Sequence, residues 1–199
     1  MTRSVVRVRP AGTSDVPDLT RLIGAIDTGS GVFSGKALAD PSEEHLTERL
    51  HQILAEPERV LLVAVAEDEV VVGMLAARCD EIGAIDLTPV LHVTHLLVAP
   101  RQRRRGTGRA LLAGAVHLAE DRGVDRILAT AAAGSREANR YLARLGFAPL
   151  VVHRLAPTTT LRRSLGMTDA GAGTAVLRRA RLARSHRPAA VARAASRGA

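Results

Sequence analysis

The sequence predicts an α/β fold, an open mixed sheet with helices on both of its faces. Three observations carry this. Stretches with apolar residues at every second position and stretches with apolar residues three or four apart follow one another in the order β-α-α-β-β-β-α-β-α-β. Two strongly apolar runs, Val60–Ala66 and Val70–Ala77, flank the acidic turn Glu67-Asp68-Glu69, which is the pattern of a hairpin. A third apolar run, Leu91–Val98, passes through a turn rich in arginine and glycine into the helical pattern Ala110–Asp121.

Val5–Arg9 alternates apolar and basic residues, as a half-buried strand does. Thr13 or Ser14 caps the first helix, and Asp15 and Asp18 lie in its first turn, where negative charge suits the helix dipole. Val16, Leu19, Leu22, Ile23 and Ile26 share one face, and Thr28–Gly31 closes that helix. Residues 32–41 form a loop. Pro41-Ser42 opens the second helix, which turns Leu46, Leu50, Ile53 and Leu54 inward and closes at Pro57. Gly73 marks a bulge or a close backbone approach in its strand. Residues 80–89 are a loop. Gly123 ends the helix 108–122, and Val124–Thr130 is the next strand. Ser135 caps the helix Arg136–Leu145, and Phe147–Leu155 is a last strand broken by Pro149.

The stretch that organises the chain runs from Val98 to Leu112. Strand, tight loop and helix N-terminus form a geometry that holds phosphate. The first helical amides lack intrahelical partners, and the macrodipole adds roughly half a positive charge there. Gly106 and Gly108 let the backbone approach a ligand, and Arg103, Arg104, Arg105 and Arg109 add cationic charge. No Walker string, Gly-x4-Gly-Lys-Ser/Thr, occurs anywhere in the chain. Gly106-Thr107-Gly108 begins a dinucleotide fingerprint, but Leu111 stands where its third glycine belongs. The remaining pattern, Arg103-x-x-Gly106-x-Gly108 preceded by Val98-x-Pro100, resembles the acetyl-CoA loop of the GNAT superfamily of N-acetyltransferases.

The resemblance covers roughly residues 4–155 and is strongest from 90 to 147. It implies a mixed, mostly antiparallel sheet flanked by helices, with the strand of Leu91–Val98 splayed from that of Val124–Thr130 around the acetyl-CoA. It also implies that the backbone of Leu96, Leu97 and Val98 contacts the acetyl group. The loop Arg103–Arg109, Thr107 included, would hold the pyrophosphate. Ser135 and Asn139 would bond the pantetheine. In the family a tyrosine four residues before the glycine of Gly-Phe protonates the departing thiolate. Gly146-Phe147 places that position at Leu142, and Tyr141 stands one place earlier. One residue is about 100° on a helix, so the Tyr141 ring is expected to face elsewhere, although it is the nearest candidate acid.

The amine must also lose a proton, since an alkyl ammonium has a pKa near 10. Counting back six residues from Val98, as the family's glutamate is placed, reaches His92, a competent base. Strand alternation puts His92 on one face with Thr94, Leu96 and Val98, and His95 on the other with Val93 and Leu97. Glu81 and Asp86 are weaker candidates that would act through water. No metal-ligand spacing appears among the seven histidines and the single cysteine.

Cys79 excludes an intramolecular disulfide, and no signal core or span-length apolar run is present, so a cytoplasmic protein is expected. Of the 28 basic residues only Lys36 is lysine, which fits an alanine- and arginine-rich bacterial composition. Residues 1–156 hold 19 basic and 19 acidic residues, whereas residues 157–199 hold nine arginines and Asp169 alone. The net charge of +8 therefore resides in the tail. This divides the chain into a catalytic domain, 1–156, and a basic flexible extension, 157–199, with Leu161–Leu165 and Val176–Ser185 as helical stretches. Two functions fit. One is an acetyl-CoA-dependent N-acetyltransferase working by direct attack of an amine, monomeric or as a homodimer. The other is a non-catalytic acyl-CoA-binding module whose arginine-rich tail contacts nucleic acid or a protein. Leu142 in place of tyrosine favours the second, and the phosphate loop suits both.

Overall fold

The computed structural model describes residues 6–25, 42–83, 85–131 and 134–167. The expected helix end at Thr28–Gly31, the loop 32–41 and the helix Val176–Ser185 lie outside them. One compact unit spans Met1–Leu150, and the chain from Val151 forms a second.

In the first unit five strands, β1 (Arg7–Pro10), β2 (Arg59–Val65), β3 (Val71–Glu81), β4 (Pro89–Val98) and β5 (Ile127–Ala129), stand side by side in chain order. The first four pair antiparallel and β4–β5 pair parallel. Helices α1 (Val16–Ala25) and α2 (Glu43–Ala55) cover one face, and α3 (Thr107–Asp121) covers the other. Each face closes over its own aliphatic cluster. Leu19, Leu22 and Leu50 meet Leu61, Val63, Val65 and Met74 on the first. Leu111, Leu112, Ala115 and Ala119 meet Leu62, Leu75, Leu91 and Val93 on the second. Leu111 is fully buried there, so the residue that breaks the dinucleotide fingerprint is a core anchor of α3. Gly73 is a close approach: a Cβ there would stand 3.1 Å from the Leu97 carbonyl oxygen, Leu111 Cδ1 and Thr107 Cγ2.

Several expectations change. Thr13 and Ser14 do not cap α1; they lie in a 3₁₀ turn, Thr13–Asp15, ahead of it. Asp15 organises that turn, accepting the Gly12 amide at 2.8 Å and both guanidinium nitrogens of Arg9 at 2.7 and 2.8 Å. A charged acceptor outcompetes a hydroxyl for these donors. Ser42 does cap α2, accepting from the His45 amide at 3.3 Å. Of the hairpin strands, β3 runs further than expected, to Glu81, and β5 is only three residues long. No strand forms over Phe147–Leu155. Pro149 supplies no amide to a ladder, and Val152 and Leu155 lie 72% and 77% exposed. In the second unit Thr158–Ser164 is a short helix, α5. No helix among the described residues is long and apolar enough to cross a membrane.

Candidate functional site

The β4–β5 pairing covers only Leu91–Val93 against Ile127–Ala129. Its last bond runs from the Thr130 amide to the Val93 carbonyl at 3.0 Å. Beyond Val93 the two strands part, as the resemblance implies. The Ala99 amide donates to Val72 in β3 at 2.9 Å. Amide directions alternate along a strand, so Leu97 also turns its amide to β3, while Leu96 and Val98 turn theirs to the open side.

From Val98 the chain makes a 3₁₀ turn, Pro100–Gln102, and reaches α3 through Arg103–Gly106. Arg104 and Gly106 have positive φ, 60° and 96°, which explains glycine at 106, the N-cap of α3. That helix has no side-chain cap and no acidic residue in its first turn. The amides of Thr107, Gly108 and Arg109 therefore have no acceptor within the helix. Thr107 is buried, its hydroxyl donating to the Gln102 carbonyl at 3.4 Å, and fixes the loop against the sheet. Arg103, Arg104, Arg105 and Arg109 are all exposed around the loop. Arg104 reaches Glu137 at 3.9 Å, linking the loop to α4 (Arg136–Arg144).

Tyr141 does not turn away. Its ring packs against the α3-side cluster. A Cβ on Gly108 would stand 3.5 Å from the Tyr141 hydroxyl and 3.8 Å from Val98 Cγ2. Strand end, helix start and tyrosine thus meet at one point. The hydroxyl is buried without a hydrogen-bond partner. Burial raises its pKa above the ordinary phenol value, only partly opposed by the Arg109 cation. Among the described residues Gln102 Oε1, on the same loop, is also buried without a partner. An uncapped helix start, a cationic rim and two orphaned polar atoms fit an anionic ligand with polar groups along its length.

Ser135 caps α4, accepting from Ala138 at 3.3 Å, and Asn139 donates to the Ser135 carbonyl at 2.8 Å. Both side chains hold the start of α4. His92 shares a 2.7 Å hydrogen bond through Nε2 with Thr130 Oγ1, just where β5 ends.

His92 and His95 do not face opposite ways. Val93 stands opposite Ala77 and His95 opposite Ala76, so Thr94 is an extra residue in β4. The bulge reverses the alternation, which is why Val93 and Leu96 both pack on the α3 side. Asp86 is fully exposed and accepts from the Thr88 amide and hydroxyl at 3.1 and 2.6 Å. These bonds hold its pKa below the usual carboxylate value, which makes it a poor base. Sequence reasoning did not single out Thr94, Gln102, Thr130 or Glu137. For Gln102 the signal was its place directly before Arg103 in the arginine-glycine loop; for the two threonines there was none. Among the described residues no group of three or more histidine, cysteine or acidic side chains gathers as a metal site.

None of the curated proteins matches the sequence. Among solved structures, a tetramutant of the BH1408 protein from Bacillus halodurans is 17% identical, with a TM-score of 0.67 over 76% of this chain and 99% of that one. The aminoglycoside antibiotic 6'-N-acetyltransferase AAC(6')-Ih from Acinetobacter baumannii is 19% identical, with a TM-score of 0.61 over 77% and 99%. AAC(6')-Iy, in complex with the bisubstrate analog CoA-S-monomethyl-acetylneamine, is 19% identical, with a TM-score of 0.60 over 77% and 100%. Similarity at these identities establishes the fold. The family model described as the acetyltransferase (GNAT) family matches residues 33–147, more than half of the chain and all of the strand, loop and helix built above. The chain therefore belongs to the GNAT family and is an N-acetyltransferase.

Proposed function

We propose that the protein transfers acetyl from acetyl-CoA to a primary amine by direct attack of the amine on the thioester, with no covalent enzyme intermediate. The observation that supports this best is the meeting of three features: the uncapped start of α3, the exposed arginines around it, and the open side of β4 beyond Val93. In this reading the amides and guanidinium groups of Arg103–Arg109 take the pyrophosphate. The outward amides of Leu96 and Val98 polarise the thioester carbonyl, a contribution worth roughly 10²–10³ in rate per donor in other enzymes. Leu97 lines the same strand from the other side. Ser135 and Asn139 keep α4 in place beside the pantetheine. Tyr141, protonated at neutral pH, is the donor to the departing thiolate. An imidazole of β4 receives the ammonium proton, a role for which the family pattern points to His92. The acceptor is an amine of unspecified size. Aminoglycosides, named for several structurally similar enzymes, are the first class to try.

The test is calorimetric titration of acetyl-CoA into the whole protein and into Arg103→Glu and Arg105→Glu variants. Both arginines are exposed, so reversing their charge should leave the melting temperature unchanged. Wild type should bind with micromolar affinity, and each reversal should weaken binding at least about tenfold at low salt. Wild type that does not bind acetyl-CoA would sink the reading.

A further inference from the structure

The two β4 histidines meet different surroundings on one face. Directly opposed residues of an antiparallel pair share a face. Ala76 belongs to the α1/α2 side, so His95 opposite it does too. Arg78, opposite His92, lies two residues along β3 from Ala76 and therefore on that same side. The Thr94 bulge thus brings both imidazoles to the α1/α2 face.

Their hydrogen bonds set them apart. His92 commits Nε2 to Thr130. For His95 the bond to Thr94 fixes the tautomer. Thr94 Oγ1 gives its single hydrogen to the Ala76 carbonyl at 3.2 Å. Toward His95 Nδ1, 3.1 Å away, it then only accepts. Nδ1 of His95 carries the hydrogen, and Nε2 holds the lone pair. That nitrogen makes no hydrogen bond among the described residues.

The ring is reached by solvent and yet walled by enough protein that its charged form is poorly solvated, which depresses its pKa. Desolvation by the surrounding protein is the cause. Arg78, the cation on this face of β3, is paired with Asp80, and the other titratable group on this face of β4 is His92. His95 also directly precedes Leu96, whose amide turns to the open side of β4.

Building on the acetyltransferase reading, we propose that His95 Nε2 is the general base of acetyl transfer. Thr94 is the positioning residue that fixes its tautomer, and His92 is a second positioning residue, holding Thr130 where β4 and β5 part. Nε2 takes one proton from the substrate ammonium and releases it to solvent. The freed nitrogen lone pair forms the bond to the thioester carbonyl carbon as the C–S bond breaks. The thiolate leaves with that electron pair. The second proton lost by the nitrogen balances the one that converts the thiolate to thiol, delivered through Tyr141.

Two measurements test this. Long-range proton–nitrogen NMR of the whole protein reads the tautomer and titration midpoint of His95, and it needs neither acyl donor nor acceptor. The expected result is hydrogen on Nδ1 and a midpoint below the ordinary value of about 6.5, with Thr94→Val mixing the tautomers. Hydrogen on Nε2, or a midpoint above that value, overturns the proposal. The second measurement follows thiol release from acetyl-CoA with an aminoglycoside, sisomicin, as the amine. His95→Ala should lower kcat/KM by about 10²-fold or more at neutral pH, with acetyl-CoA affinity within twofold of wild type. The wild-type pH profile should be flat above the His95 midpoint. The variant's should climb about tenfold per pH unit toward the amine's own pKa near 10. His95→Gln, which keeps the ring's bulk in part, should behave like His95→Ala. His92→Ala should slow the reaction and keep the flat profile. If His92→Ala removes the plateau and His95→Ala does not, the base is His92 and the proposal fails. If acetyl-CoA itself does not bind wild type, the acetyltransferase reading fails instead. If acetyl-CoA binds but sisomicin is not a substrate, the NMR result decides alone.

Discussion

Replacing Tyr141 with phenylalanine should separate what its hydroxyl costs the folded chain from what it does in the reaction. The ring belongs to the α3-side cluster, and its oxygen is buried against Gly108 without a partner. An unsatisfied buried hydroxyl costs about 1–3 kcal/mol. Tyr141→Phe keeps the ring and removes that cost, leaving only a small void where the oxygen was. The ligand-free protein should therefore gain about 1 kcal/mol, or roughly 2–4 °C in melting temperature for a chain of this size. The same change removes the donor proposed for the thiolate. Thiols have a pKa near 8.5, so the thiolate is a good leaving group. The loss in kcat should then be roughly tenfold, below the ~10² usual for acid–base groups. Urea unfolding without ligand measures the first effect, and thiol release from acetyl-CoA measures the second. A variant less stable than wild type would show that the hydroxyl has a partner in solution and would refute the reasoning. A variant that is more stable but keeps its full kcat would leave the packing argument standing and remove Tyr141 from the chemistry.

Asp15→Asn should destabilise by about 1–3 kcal/mol, because the carboxylate serves both Arg9 nitrogens and the Gly12 amide; Arg9 is 35% exposed, which screens the pair and keeps the value below that of a fully buried one. The Asp15 pKa is lowered, chiefly by its hydrogen bond to Arg9. Its stabilisation is therefore present above the unfolded-state value of about 3.9 and lost as pH falls through the lower folded-state value. Urea unfolding between neutral pH and pH 3 should show this acid-side loss in wild type and not in Asp15→Asn. Gly73→Ala should cost about 1–3 kcal/mol, since its methyl would meet a backbone carbonyl at 3.1 Å and not only movable side chains. An unchanged melting temperature would show that β3 and α3 separate easily. Ser135→Ala should cost about 1 kcal/mol of helix capping, and circular dichroism should show α4 fraying before the rest of the chain melts.

Sequence patterns revealed the fold because the aliphatic runs are long and each has one period. Val60–Ala66 and Leu91–Val98 have no helical reading, and Val16, Leu19 and Leu22 have no strand reading. The cofactor loop was legible because glycine and arginine at fixed offsets answer to backbone conformation and charge, both properties of residue type. The face of His95 was not legible. A bulge changes the count of a strand without changing its composition, and Thr94 looks like any strand threonine. The Tyr141 contact was hidden for a related reason. Helical rotation predicts direction only relative to neighbours whose own positions are known, and Gly108 leaves a gap that a tyrosine one place early can enter. The strand expected at Phe147–Leu155 rested on β-forming residues alone, and pairing depends on a partner edge that composition does not reveal.

That unformed strand bears on how molecules behave toward one another. Leu150, Val151, Val152 and Leu155 offer water a run of apolar side chains. The chain as a whole carries +8. Like charge keeps copies apart at low ionic strength, where the Debye length is long, and that protection shrinks to about 8 Å at physiological salt. Salt should therefore favour self-association of this protein, whereas it weakens contacts held by charge.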